Sequence, residues 1–357
     1  MTFRIDRRTF GKLALGAGVT APLGFTRNGW AQGQTIEIGI WGGAQGEFVK
    51  TSIIPDFERD FDCRVLAEEG FTLANVSKMR ATRDNPKYSV MFIDDVAIPI
   101  CKEEGLIEAL PFHDMPATAK LYDRFIYEDG YGTGLGISVG SLFHNARVEP
   151  PASYADLWDP KYARNIKLVS PKNTPSMFFL IVAAAVATGK PFAEAQYEIE
   201  SAWAKIEELK PNVQNIFDSG IQAATEIAQG QADVGLLEYS KYIYPYTAEG
   251  APVTMGYPAE GSFAGTNCQV LVKGGPNRDL AVAFMNRMLE PAVAKALAEF
   301  ALVAPPVADI EFSDETLKYI AYPVEVMDQQ GLFTPDWAHV NANRSAWTER
   351  LNQIFGV

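Results

Sequence analysis

Residues 131–145, YGTGLGISVGSLFHN, decide how this chain is organised. The opening YGTGLG has the look of a phosphate-cradling loop, but such a loop runs into a helix, and here ISVGSLFHN continues as a strand. The whole stretch is then one extended segment, long for a single strand, with glycines spaced through it. A segment of that length suits a passage between two lobes.

The flanking sequence supplies the lobes. Before it lie strands at 36–40 (IEIGI), 63–69 (CRVLAEE) and 88–95 (YSVMFIDD). They alternate with amphipathic helices at 47–60, where Pro55 introduces a kink, at 73–84 and at 96–105, the last closed by Gly105. Alternating strand and helix is the pattern of a parallel α/β layer. A second set follows, with strands at 165–170, 212–217 and 232–239 and helices at 176–187, 191–209 and 220–230. NCQVLVKGG (267–275) reads as a strand returning to the first lobe, and helices at 280–289 and 291–300 follow it. The expected fold is α/β, two lobes joined by a hinge of at least two crossings, with ligands held in the cleft at the strand ends.

The first strand ends in an indole, IEIGI-Trp41-Gly42-Gly43. An aromatic at a strand's carboxyl end, followed by two residues without side chains, fits a wall of such a cleft, with Gly43 leaving room for a ligand. A core tryptophan before a turn fits the same ten residues.

At the N-terminus Arg4, Arg7, Arg8 and Lys12 precede a mildly apolar run from 13 to 23 and small residues up to Ala31. That is the build of a signal peptide cleaved after Ala31, and DRRTFGK (6–12) resembles the twin-arginine export signal, which implies a periplasmic location. Gln32 at the resulting N-terminus, in place of a lipidated cysteine, implies a soluble protein. Removing 1–31 from the 357 residues leaves 326; the segment holds five basic side chains and one acidic, so the net charge moves from −13 to −17. Such an acidic surface argues against nucleic acid and anionic membranes as partners. Cys63, Cys101 and Cys268 are far apart and odd in number, and the three histidines are scattered, so neither a metal site nor more than one disulfide is expected. No nucleophile motif or nucleotide loop is present, and no enzymatic function is expected.

Several strings together resemble the solute-binding proteins of ABC importers, within them the spermidine/putrescine-binding group. They are IWGG after the first strand, KEEGLIEAL (102–110), SYADLWDPKYARNIKL (153–168), AQGQADVGLLEYS (228–240), GAPVTMGYPAEGSF (250–263) and AVAFMNRMLEPAVAKALAE (281–299). The resemblance implies a two-lobed periplasmic-binding-protein fold, type II-like, with lobe 1 from 35–139 plus 267–310 and lobe 2 from 140–266 plus 311–357. It implies a monomer without cofactor that hands its solute to a permease and ATPase in the inner membrane. At the cleft it places Trp41 with Gly43, then Asp94 and Asp95, Ser138, Asn173 and Thr174, and Glu238 and Tyr239. It adds Phe263 and Thr266, in a region where polyamine binders carry a tryptophan and an aspartate and this chain has Ala264, Gly265 and Thr266.

Carboxylates beside aromatic faces suit an ammonium group. The expected solute is a small amine or an amino-acid-like zwitterion, with Asp94 or Asp95 and Glu238 on the cationic end and Trp41 and Tyr239 against its carbon chain. Each residue has a plainer reading: Asp94 or Asp95 as a helix N-cap, Tyr239 as core, Glu238 paired with Lys241. A ferric ion or metal chelate is the alternative of the same class, suggested by four tyrosines in YSKYIYPY (239–246). A periplasmic enzyme is the alternative of another class.

Overall fold

The computed structural model describes residues 33–356. The expected signal segment, 1–31, lies outside the described residues. Strand β1 (Thr35–Ile40) runs between and parallel to β2 (Arg64–Glu69) and β3 (Val90–Asp94). Its isoleucines 36, 38 and 40, which share one face by the strand's two-residue period, are fully buried, while Thr35 and Glu37 on the other face are partly exposed. Two short strands, β4 (Ile107–Glu108) and β5 (Ile126–Tyr127), precede the long β6 (Gly132–Asn145). The second set comprises β7 (Ile166–Val169), β8 (Val213–Phe217) and β9 (Val234–Tyr239), with β7 parallel to both of the others. Then come β10 (Val253–Met255), the long β11 (Ser262–Val272) and β12 (Leu332–Phe333).

The sheet order is β2-β1-β3-β11-β6-β9-β7-β8. Two parallel triplets therefore flank a central antiparallel pair of long strands, which are the expected crossings. β3 runs antiparallel to β11, and β9 antiparallel to β6, so the two triplets point their carboxyl ends at each other along the crossings. The register gives the spacing. Asp94, at the end of β3, pairs with Asn267, which pairs with Gly136, and Tyr239, at the end of β9, pairs with Gly140. Four residues of strand separate these positions, roughly 13 Å at about 3.3 Å per residue.

Helices α1 (Gly43–Phe48) and α2 (Ile54–Phe61) follow β1, with a π-helical turn, Val49–Ile53, between them. Where a kink at Pro55 is expected, the chain widens into this turn, because Pro55 has no N–H to offer the preceding turn. α3 (Thr72–Ala81) and α4 (Ile98–Glu103) complete the first layer. In the second, α5 (Pro175–Thr188) is buried along most of its length. The helix expected over 191–209 is instead α6 (Phe192–Ala195), a 3-10 turn and α7 (Ala202–Leu209). The break follows the buried Gln196, whose side-chain oxygen accepts from the Asp336 N–H at 2.8 Å, a contact 140 residues away in sequence. α8 (Gly220–Ala228) and α9 (Ser240–Ala248) lie either side of β9; α10 (Arg278–Leu289) and α11 (Pro291–Ala301) follow β11. The chain closes with α12 (Asp314–Leu317), α13 (Val324–Gln329) and the 19-residue α14 (Trp337–Phe355). Among the described residues no helix is long and apolar enough to cross a membrane, and the three cysteines are free.

Candidate functional site

The second crossing starts five residues earlier than its sequence suggests, at Ser262, because its first half pairs with β6 from Phe263↔Gly140 onward. That pairing removes Phe263 from the cleft. It is fully buried, stacked on Phe178 at 4.4 Å and on Phe192 at 4.6 Å, in the core of the second layer. Phe263 is a packing residue and leaves the candidate set.

Position 265 has no room for a side chain. A Cβ there would lie 2.0 Å from Cε1 of Tyr239, so the tyrosine ring rests directly on the bare backbone of the crossing strand. Tyr239 is aimed by a bulge: pairing of β6 with β9 slips between Ser141 and Phe143, and Leu237 adopts φ +59, a conformation costly for a bulky residue. Strain of this kind, about 1–3 kcal/mol, persists where the surroundings over-determine it.

Three carboxylates act on the Tyr239 hydroxyl. After burial, the charges of Asp94, Asp95 and Glu238 push its pKa well above the ordinary value. Glu238, itself buried, is pushed up to about 7 by loss of water; the Tyr239 N–H, donating to Oε1 at 2.8 Å, and the charge of Lys241 pull the other way. The direct Glu238–Lys241 ion pair is not formed among the described residues: the Lys241 ammonium donates to Oδ1 of Asn267 at 3.2 Å and stands over the Tyr239 ring.

The two aspartates of the first layer part company. Asp94 occupies the N-cap position of the turn after β3 without capping it. Its carboxylate accepts instead from the Thr72 hydroxyl at 2.6 Å and the Asn267 amide at 2.7 Å. Asp95 is buried, and Oδ1 accepts from the Val96 N–H at 3.0 Å. Burial pushes it up to about 7, and the Trp337 indole and the Val96 and Thr266 amides oppose that shift only in part.

Trp41 is buried against Phe92, 4.9 Å between ring centres, with its indole N–H unpartnered among the described residues. The Gln45 Nε2, Ser138 Oγ and Thr266 Oγ1 atoms are likewise buried without a partner. A buried unpaired polar group costs about 1–3 kcal/mol, so these groups leave hydrogen-bonding capacity unspent beside the facing strand ends. Gly43 is exposed, has φ +72, and a side chain there would meet nothing within 4 Å. In the second layer, the Asn173 amide is spent on the Asp218 carbonyl at 2.9 Å, while the Thr174 hydroxyl accepts from Arg344 at 3.1 Å.

Several residues at this place were not picked out from the sequence. Thr72 and Asn267 act through contacts made across the sheet, and Gln45 through its burial, neither of which a local pattern announces. Trp337, Asn341 and Arg344 carry a signal, since their spacing puts them on one face of a helix. The four tyrosines of 239–246 do not gather: Tyr239 rests on Gly265, whereas the Tyr244 hydroxyl meets that of Tyr257 at 2.5 Å. Among the described residues no group of three or more His, Cys, Asp or Glu side chains is placed to hold a metal ion.

The family pattern of bacterial extracellular solute-binding protein matches residues 52–324. A gamma-aminobutyric acid-binding protein of Pseudomonas aeruginosa is 26% identical over 288 residues, 78% of either chain. The spermidine/putrescine-binding periplasmic protein of Salmonella typhimurium is 26% identical over 265 residues, 71% of this chain and 73% of its own. The solved spermidine/putrescine ABC transporter substrate-binding protein of Streptococcus pneumoniae superposes with a TM-score of 0.72 at 18% identity, covering 90% of this chain and 98% of that one, a likeness of fold.

Proposed function

This chain belongs to the bacterial extracellular solute-binding proteins and is the substrate-binding component of an ABC transporter; we propose that it works in the periplasm, capturing a small amine or amino-acid-like solute between its lobes and delivering it to a membrane permease. One arrangement carries the choice of solute: Asp94 ends β3 and Glu238 and Tyr239 end β9, the two strands point at each other along the crossings, and Asn267, which donates to Asp94, accepts from the Lys241 ammonium that stands over the Tyr239 ring. An ammonium group placed there would meet carboxylates from both sides and the faces of Trp41 and Tyr239, so binding would favour the closed arrangement of the lobes. Relatives that bind gamma-aminobutyric acid and polyamines support the reading.

In this reading residues 35–139 plus 267–310 form one lobe and 140–266 plus 311–357 the other, with 1–31 as an export signal. The ligand set is Trp41, Gly43, Asp94, Asp95, Ser138, Thr174, Glu238, Tyr239 and Thr266, with Asn173 shaping the loop that carries Thr174. The protein acts as a monomer that releases its solute unmodified.

A thermal-shift screen against diamines, polyamines, ω-amino acids, quaternary amines, dicarboxylates and ferric chelates tests it. A ligand specific for the folded state adds about 2.7 kcal/mol at a hundred times its dissociation constant. Shifts are expected with amine-bearing compounds. Shifts with dicarboxylates or ferric chelates alone would refute the assignment of the carboxylates.

A further inference from the structure

The acidic side of the cleft has an unmatched cation facing it. Helix α14 presents Trp337, Asn341 and Arg344 along one face, and this face reaches both halves of the sheet. The Asn341 amide donates to the Val96 carbonyl at 2.7 Å, beside Asp95 in the first, and Arg344 donates to the Thr174 hydroxyl at 3.1 Å, at the head of α5 in the second. Arg344 is half-buried and, among the described residues, has no ion pair with a carboxylate. Phe178, one turn along α5 from Thr174, packs on Trp337 of α14 at 5.9 Å and edge-on against the Tyr239 ring at 6.0 Å, so this face of α14 and Tyr239 meet at the same helix. Loss of water pulls the pKa of Arg344 down, and what opposes that shift is the Tyr239 phenol, not a carboxylate.

An arginine is a costly group to withdraw from water without an anion, and its planar fork matches a carboxylate through two parallel hydrogen bonds. The Thr174 hydroxyl accepts from Arg344 and, among the described residues, donates to no other group, so its proton can go to the same anion. We infer that Arg344 and Thr174 form a carboxylate subsite, so that the solute is a zwitterion whose ammonium lies toward Asp94, Asp95 and Glu238 and whose carboxylate lies toward α14. Lys241 does not take this part, because its ammonium is already bonded to Asn267 on the acidic side. The inference rests on the amine reading of the cleft for the ammonium end alone.

Three probes with four-carbon chains separate the two ends: 4-aminobutyrate, 1,4-diaminobutane and succinate, titrated by calorimetry into the parent protein and into Arg344→Gln and Arg344→Lys. The expected result is that the parent prefers 4-aminobutyrate to 1,4-diaminobutane. Arg344→Gln should bind 4-aminobutyrate roughly 10- to 100-fold more weakly, the value of a charge-assisted hydrogen bond of about 1.5–3 kcal/mol, with partial recovery in Arg344→Lys. Diamine binding should not weaken in Arg344→Gln, and melting of the unliganded variant shows that it is folded. Unchanged 4-aminobutyrate affinity in Arg344→Gln would overturn the subsite, as would a parent that binds the diamine and neither carboxylate; both outcomes leave the amine reading standing. A parent that binds succinate but neither amine, with that binding lost in Arg344→Gln, would uphold the subsite and overturn the amine reading.

Discussion

Replacing Asp95 by asparagine should stabilise the unliganded protein at alkaline pH. The carboxyl is fully enclosed and pushed from 3.8 to about 7, chiefly by loss of water and further by the charge of Asp94. A carboxyl whose pKa is raised by folding opposes folding wherever the unfolded chain would carry it ionised. The penalty is absent below pH 4, grows as the pH rises from there towards 7, and is complete above 7, where it amounts to roughly 4 kcal/mol at 1.36 kcal/mol per pKa unit. Most of that growth falls between pH 5 and pH 8, where it is on the order of 2–3 kcal/mol, roughly two pKa units' worth. Asparagine keeps the shape and the oxygen that accepts from Val96 but carries no charge. Melting curves of parent and Asp95→Asn at both pH values should therefore diverge, with the variant gaining roughly 5 °C more over the parent at pH 8 than at pH 5. A variant that melts below the parent at pH 8 by a similar margin would mean that Asp95 is a well-paired anion, and the burial argument would fail.

Amine binding should respond to the same ionisations in the opposite sense. Asp95 and Glu238, both pushed up to about 7, must lose their protons to pair with an ammonium, so affinity should rise between pH 6 and pH 8 by about tenfold in all for each group. A flat calorimetric profile would show that neither contacts the amine. Gly265→Ala places a methyl 2.0 Å from the Tyr239 ring and should cost about 1–3 kcal/mol of stability together with a measurable loss of affinity; an unchanged melt and unchanged binding would refute the close approach. Phe263→Leu should lower stability by about 1 kcal/mol through poorer stacking on Phe178 and Phe192 yet leave affinity intact, and a selective loss of binding would return Phe263 to the cleft.

Much of this could be read along the chain because it depends on local pattern. The buried isoleucines of β1, the alternation of strands and helices, and the length of 131–145 each reflect the two-residue or 3.6-residue period of a single element. Trp41, Asp94, Asp95, Glu238 and Tyr239 sit at strand ends, and in a doubly wound layer strand ends are where loops meet a solute. Phe263 was misplaced for a definite reason. It shares its strand face with Gly265 and Asn267, but that face runs from the site into the core of the second layer, and only the packing of Phe178 and Phe192 shows that Phe263 lies on the covered part.

The sequence by itself thus determined the elements, their α/β order, the two crossings and most of the residues at the strand ends, because these follow from spacing and composition over short distances. Tertiary structure alone decided which groups share one space. The Tyr239 ring lies on Gly265 because a bulge turns it there; Asp94 and Asp95 take opposite company because strand register assigns Asn267 to one and burial to the other. Arg344 reaches Thr174, 170 residues away, because the last helix folds back over both halves of the sheet. Charge and burial depend on distances in space, and those distances exist only once the chain has closed on itself.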